Sequence, residues 1–204
     1  MSSSLSVYLI DPKAARALVG SRDDQLLQVV RDSFGGDLAS DDSWFSSAIA
    51  DGAPTAYEAL RTVVHGGPFP EDAGRYAFQY GYAYKRLCSL TGSFLDNSCF
   101  SPFRGDWLEL VDEGLRALRI TAVSVAEFGY GGGFPAGVPS SDLPRCGEWT
   151  HDQCLEALAQ FEQTKQAGHA PPLEPEVVDA VMDVMGWLRH VESRPGFGVV
   201  GFVS

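Results

Sequence analysis

Basic residues are scarce in this sequence: 15 Lys and Arg stand against 27 Asp and Glu, a formal net charge of −12. Nucleic-acid affinity comes largely from cationic side chains that neutralise phosphates, so this deficit argues against a DNA- or RNA-binding role and against docking on an anionic membrane. Long apolar runs are also missing. The start, MSSSLSVYLIDPKAAR, offers only Val7–Ile10, too short for a signal-peptide core, and no later stretch approaches a membrane span. Cysteine is sparse. Cys88, Cys99, Cys146 and Cys154 form no CxxC pair and no dense framework, which predicts reduced thiols in a cytoplasmic protein. The four histidines, His65, His151, His169 and His190, are scattered, and neither GxSxG nor HExxH occurs.

What remains is a chain of 204 residues, 45% hydrophobic and 21% charged, enough for one substantial core and read as a single domain over residues 1–204. Ser6–Ile10 is apolar on both faces, as a buried strand requires, and Asp11-Pro12 ends it and starts a helix. Ser21 is placed to cap a second helix with Leu26, Leu27, Val30 and Phe34 on one face and Gly35-Gly36 as its stop. Asp37–Ser43 then reads as an acidic turn, with Trp44, Phe45 and Ile49 anchoring a short helix. Pro54 opens the next helix, where Thr55 and Glu58 have capping-box spacing, Tyr57, Leu60 and Val64 line the buried side, and His65-Gly66-Gly67-Pro68 is the stop.

Gly74–Trp107 gathers nine aromatic residues and two of the four cysteines. Tyr76, Phe78, Tyr80, Tyr82 and Tyr84 alternate as in a strand, yet Ala77, Tyr80, Tyr84, Leu87, Cys88 and Thr91 share a helical face. The apolar pattern runs on through Leu90, longer than a typical strand, and favours the helix. A turn follows, and Asp106 to Glu109 repeats the cap spacing before a helix bearing Leu108, Val111, Leu115 and Leu118. Ile120–Val125 alternates like a second strand, and Phe128–Gly147, rich in Gly and Pro, reads as a long surface loop. Thr150 and Gln153 form another capping box, with Leu155, Leu158 and Phe161 facing inward. Pro175 starts a last helix with a stripe of Val177, Val178, Val181, Met182, Met185 and Leu188, ended by Arg194-Pro195-Gly196. Phe197–Val203 closes the chain as a second two-sided strand. The pattern predicts an α+β fold: a small sheet including both terminal strands, covered by about six or seven helices.

The motifs FQYGYA (Phe78–Ala83), LDN (Leu95–Asn97), FSPFRGDW (Phe100–Trp107) and VVGFV (Val199–Val203) resemble those of an uncharacterised bacterial domain-of-unknown-function family. More remotely, the layout is similar to the YfbM-like small α+β proteins, with an opening strand, a helix soon after, then a final helix and a valine-rich closing strand. The resemblance implies fold kinship and carries no activity or catalytic residue.

Cys146-x4-His151-x2-Cys154, with His169 as a fourth group, is the nearest approach to a metal site. Its spacing lacks the paired CxxC or HxxxH geometry, so a buried thiol and a helix-start histidine are expected, with no metal and no cofactor. Gly131-Gly132-Gly133 lacks the Lys-Ser/Thr of a phosphate loop. Asp112-Glu113 and Asp179/Asp183 read as solvated helix faces.

Tyrosines suit either a core edge or a cleft. In the second reading Tyr80, Tyr84, Arg86, Asn97, Arg104 and Asp106 converge on one pocket or contact surface, with Tyr76 and Trp107 as further binding residues. Tyr80, Tyr84, Asp106 and His65 are the candidates for proton transfer, although Asp106 at a helix start suits an N-cap better. Two functions follow. The leading one is a protein-binding or immunity-like accessory module for a basic partner, drawn from the acidity and the missing catalytic motifs. The alternative is an enzyme of the biosynthetic tailoring type that binds a small molecule in an aromatic cleft around Tyr80, Tyr84, Arg104 and Asp106.

Overall fold

The computed structural model of the chain describes residues 2–71, 73–130, 132–139 and 141–204. Its elements are β1 (Leu5–Ile10), α1 (Pro12–Ala17), α2 (Asp24–Trp44), α3 (Ser46–Ala50), α4 (Ala56–His65) and α5 (Ala77–Thr91). Then come β2 (Ser93–Phe94), α6 (Trp107–Ala117), α7 (Glu127–Tyr130), β3 (Arg145–Trp149), α8 (His151–Gln166), α9 (Pro175–Glu192) and β4 (Gly198–Val203). The fold is α+β. The chain forms two compact units, one of residues 1–12, 92–133 and 145–204, the other of residues 13–91 and 134–144.

The first unit holds the sheet, antiparallel throughout in the order β2-β1-β4-β3. The two ends of the chain lie side by side at its centre, Leu5 opposite Val203 and Leu9 opposite Val199. Every residue of β4 is buried, as its unbroken apolar pattern requires. Leu5, Val7, Leu9, Val199 and Val203 join a core with Val177, Val181, Val184 and Leu188 of α9 and Leu108, Val111 and Leu115 of α6. Val178 and Met182, expected in the inner stripe of α9, are 42% and 46% exposed; Ala180, Val184 and Trp187 take the inner positions. Leu155 of α8 also faces outward, 37% exposed, while Leu158 is buried.

Two expected features of this unit give way to others. Ile120–Val125 is not a strand, because side chains take the N–H groups that a ladder would use. Gln160 Oε1 accepts from Thr121 N (2.8 Å) and Ala122 N (3.2 Å), and Asp112 Oδ1 accepts from Val125 N (2.7 Å). Asp112 also accepts from Ser124 Oγ (2.5 Å) and Ala126 N (3.2 Å), so it is a buried organiser of this segment and not a solvated helix face. The loop expected over Phe128–Gly147 holds only in its middle, where residues 132–139 and 141–144 are irregular, and gives way at both ends. Phe128 is fully buried in α7 and stacks on Trp149 at 4.5 Å between ring centroids, and Arg145–Trp149 is an edge strand. Gly147 of β3 pairs with Gly201 of β4, and α7 lies against this strip without side chains. Gly133 N donates to Cys146 O (3.0 Å), so its part of the glycine run follows β3; Gly131 lies outside the described residues.

The second unit is helical. Thr55 and Glu58 form the capping box of α4, and Gly66 ends that helix in the left-handed conformation at φ 73°. The aromatic run is a helix, entered through a 3-10 turn at Ala73–Tyr76, with Tyr80, Tyr84, Leu87 and Cys88 buried. Phe134, from the segment that returns to this unit, meets Tyr84 edge-on at 6.0 Å.

Asp23, not Ser21, caps α2 by accepting from Leu26 N (2.8 Å). Two helical segments meet at a kink at Phe34 (φ −125°, ψ 19°), beside the expected stop Gly35-Gly36, and the second runs on through the supposed acidic turn Asp37–Ser43. Its buried stripe extends to Leu38, and that burial outweighs a glycine penalty of about 1 kcal/mol per residue. Beyond it Phe45 packs on Phe78 and Tyr82 at 5.2 and 5.1 Å, whereas Trp44, expected as an anchor, is 85% exposed. A Cβ at Gly35 or Gly36 meets no atom within 4 Å. Gly35→Ala is therefore expected to stabilise the protein by about 0.5–1 kcal/mol, read as a higher urea midpoint. An unchanged or lower midpoint would mean that the kink needs glycine.

Candidate functional site

Within the first unit, the segment leading into α6 and the first two turns of α9 enclose a groove of about 370 Å³. Cys99, Pro102, Phe103, Arg104, Trp107, Glu176 and Asp179 line it. The segment is held from several directions, so the groove is built before any ligand arrives. Asn97 Nδ2 donates to Leu5 O (2.5 Å), and Trp187 Nε1 donates to Asp96 O (2.6 Å). Phe103 exchanges both backbone hydrogen bonds with Ser3, at 2.9 and 2.8 Å. Trp107 Nε1 donates to Cys99 O (2.9 Å), which fixes the indole in the wall, and Cys99 N donates to Asp183 Oδ2 (3.4 Å).

The charges in and beside the groove are unequal. Arg104, with no ion pair among the described residues, stands against Glu176 and Asp179, with Asp183 next to Cys99. The thiol of Cys99 responds to its burial and to that field. Burial pushes its pKa up first, the hydrogen bond with Asp183 adds to this, and the charges of Asp183, Asp179 and Asp96 raise it further, to about 11. A thiol held there is not an activated nucleophile. At pH 8 its thiolate fraction is about a thousandth, against about a quarter for an ordinary cysteine, and higher intrinsic nucleophilicity recovers only part of that deficit. Alkylation of Cys99 by iodoacetamide is therefore expected to run about tenfold slower than that of free cysteine. Peptide mapping of the labelled protein checks this, and a rate equal to free cysteine would contradict the field described.

Of the residues expected to converge, Arg104 and Trp107 share the groove. Asn97 lies in the same unit but spends its amide on β1. Asp106 sits at the N-terminus of α6, exposed, and makes no side-chain cap; Glu109, its expected box partner, accepts instead from the Tyr130 hydroxyl. The other candidates belong to the second unit. Tyr80 and Tyr84 are 2% and 0% exposed, Tyr80 edge-on to Phe69 at 4.9 Å, so neither offers an open face to a substrate. The Tyr76 hydroxyl donates to Asp51 O (2.5 Å). Arg86 pairs with Asp41 (2.6 Å) beside Gln79, and His65 Nε2 lies 2.8 Å from Asp24 Oδ1. Sequence reasoning missed Cys99, Pro102, Phe103 and Glu176 as lining residues, and it read Asp179 as a solvated helix face, which fits its exposure but not its place in the groove. The available signal was the pair Glu176 and Asp179, three apart after Pro175, which share one face of a helix.

The Cys146, His151 and Cys154 constellation is committed elsewhere. His151 Nδ1 lies 3.0 Å from Phe197 O, His169 Nε2 lies 2.9 Å from Ala117 O, and burial pushes the Cys154 thiol up to about 12. Among the described residues no group of three or more His, Cys, Asp or Glu is placed to hold a metal ion, and no helix is long and apolar enough to cross a membrane.

No curated protein and no solved structure matches this chain. One family model does match, over residues 1–204, and the fold and groove described above belong to a member of the domain of unknown function family DUF7691.

Proposed function

We propose that the protein is a cytoplasmic binding module that receives a basic segment of another protein in the groove of its first unit. The observation that carries this reading is the lining itself: Trp107 and Phe103 beside the carboxylates of Glu176 and Asp179. Aromatic faces and carboxylates together suit a cation on an apolar stem, and a net charge of −12 steers such a partner toward the surface. The four cysteine thiols, three of them buried, suit a reducing compartment. An immunity-type role, in which the module neutralises a basic toxin, is one form that this binding takes.

Pull-downs from the source cells with the wild type and with Glu176→Lys/Asp179→Lys test the reading. Both residues are exposed, so the double variant is expected to fold normally. A basic partner should be retained by the wild type at moderate salt and bind the variant at least about tenfold more weakly. An acidic partner, or a basic one indifferent to the two charges, would sink the proposal.

A further inference from the structure

We infer that the groove recognises a single arginine side chain of the partner, its guanidinium stacked on Trp107 and shared between the carboxylates of Glu176 and Asp179. This rests on the binding reading above and names the chemistry of the same site. Lysine and arginine differ in what they ask of a pocket. An ammonium is a compact, strongly hydrated point charge, whereas a guanidinium is planar, weakly hydrated and able to stack on an aromatic face while its fork donates to carboxylates.

The groove supplies what the planar group needs. The Trp107 indole N–H is already spent on Cys99 O, so the ring meets a ligand through its π-system and not as a donor. Phe103, held by paired backbone bonds to Ser3, adds a second fixed aromatic group. Glu176 and Asp179 stand one turn apart at the start of α9, a helix of 18 residues buried along its inner side, so their backbone anchors do not drift. Burial first, and then the hydrogen bond with Asp183 and the charges of Asp183, Asp179 and Asp96, raise the pKa of Cys99, so carboxylates act on the groove wall as well as on its rim. Arg104 sets the limit. As a lining cation it repels a second basic group, so the site fits one arginine flanked by uncharged residues and not a polybasic run.

The test uses three blocked heptapeptides, Gly-Ser-Gly-X-Gly-Ser-Gly, with X as arginine, lysine or citrulline. Each is titrated at low salt into the isotopically labelled full chain while the Trp107 indole N–H resonance is followed. The arginine peptide is expected to shift that resonance and to bind about three- to tenfold more tightly than the lysine peptide. Citrulline, planar but uncharged, should leave it unmoved. Asp179→Asn, an exposed and nearly isosteric change, should weaken the arginine peptide, and Trp107→Leu, which lacks that resonance and is followed by isothermal titration calorimetry, should erase its advantage over lysine. If Trp107→Leu fails to fold, Asp179→Asn and the citrulline peptide still decide. Equal affinities for arginine and lysine, or indifference to Asp179→Asn, would overturn the arginine assignment and leave general basic binding standing. No response to either cationic peptide would overturn the basic-partner reading and the arginine assignment together.

Discussion

Asp112→Ala is expected to lower the free energy of unfolding by about 3 kcal/mol, read as a fall in urea midpoint at unchanged slope. Asp112 is 6% exposed and accepts from Val125 N, Ala126 N and the Ser124 hydroxyl, at 2.7, 3.2 and 2.5 Å. Alanine would leave two backbone N–H groups at buried residues without an acceptor, each costing about 1–3 kcal/mol, and the hydroxyl would lose its partner as well. The damage would not stay local. Ser124 O holds Trp149 Nε1 (3.0 Å), and the segment leads directly into α7, whose Phe128 stacks on the same indole. Asp112→Asn separates charge from geometry, because its carbonyl oxygen keeps one acceptor while its amide faces a donor. It should fall between wild type and alanine. A loss below about 1 kcal/mol for Asp112→Ala would show that water replaces the carboxylate.

The same carboxylate shows where sequence reasoning stops. Ile120–Val125 alternates as a strand does, but alternation only says that a segment has two faces. Whether it joins a ladder depends on which acceptors reach its N–H groups, and here Asp112 and Gln160 arrive from other helices. The cap sites divide on the same ground. Thr55/Glu58 and Thr150/Gln153 close entirely within four residues, so local spacing decides them. Asp106/Glu109 has equal spacing, yet Tyr130 engages Glu109 and the box does not form. The terminal strands were legible because apolarity on both faces leaves few places for a strand except the middle of a sheet. The site was half legible. Arg104 and Trp107 stand in one conspicuous motif, whereas Glu176 and Asp179 reach the groove from a distant helix whose acidic face resembles ordinary solvated surface. A sequence shows charge; it does not show that an aromatic wall stands opposite.

Gly147→Ala is expected to cost at least about 3 kcal/mol, although it adds one methyl group to an edge strand. A Cβ at Gly147 would stand 2.8 Å from both Glu127 O and Phe128 Cα, and backbone atoms cannot rotate away as a side-chain tip can. The opposite strand offers no slack. Gly201, its register partner, faces the Phe128 ring, where an added Cβ would lie 2.6 Å from Cγ. Relief requires α7 to lift from the sheet, which would pull Phe128 off Trp149; both rings are fully buried, and burying one aromatic side chain contributes about 1.5–3 kcal/mol. Two readouts should move together: the denaturation midpoint falls, and the near-ultraviolet circular dichroism from the stacked pair weakens. Gly35→Ala, which adds the same methyl group in open space, is the control with the opposite expected sign. If Gly147→Ala were as stable as wild type with its aromatic signal intact, α7 would not be seated on the glycine strip. Position 147 would then reflect only the tolerance of an edge strand for small residues.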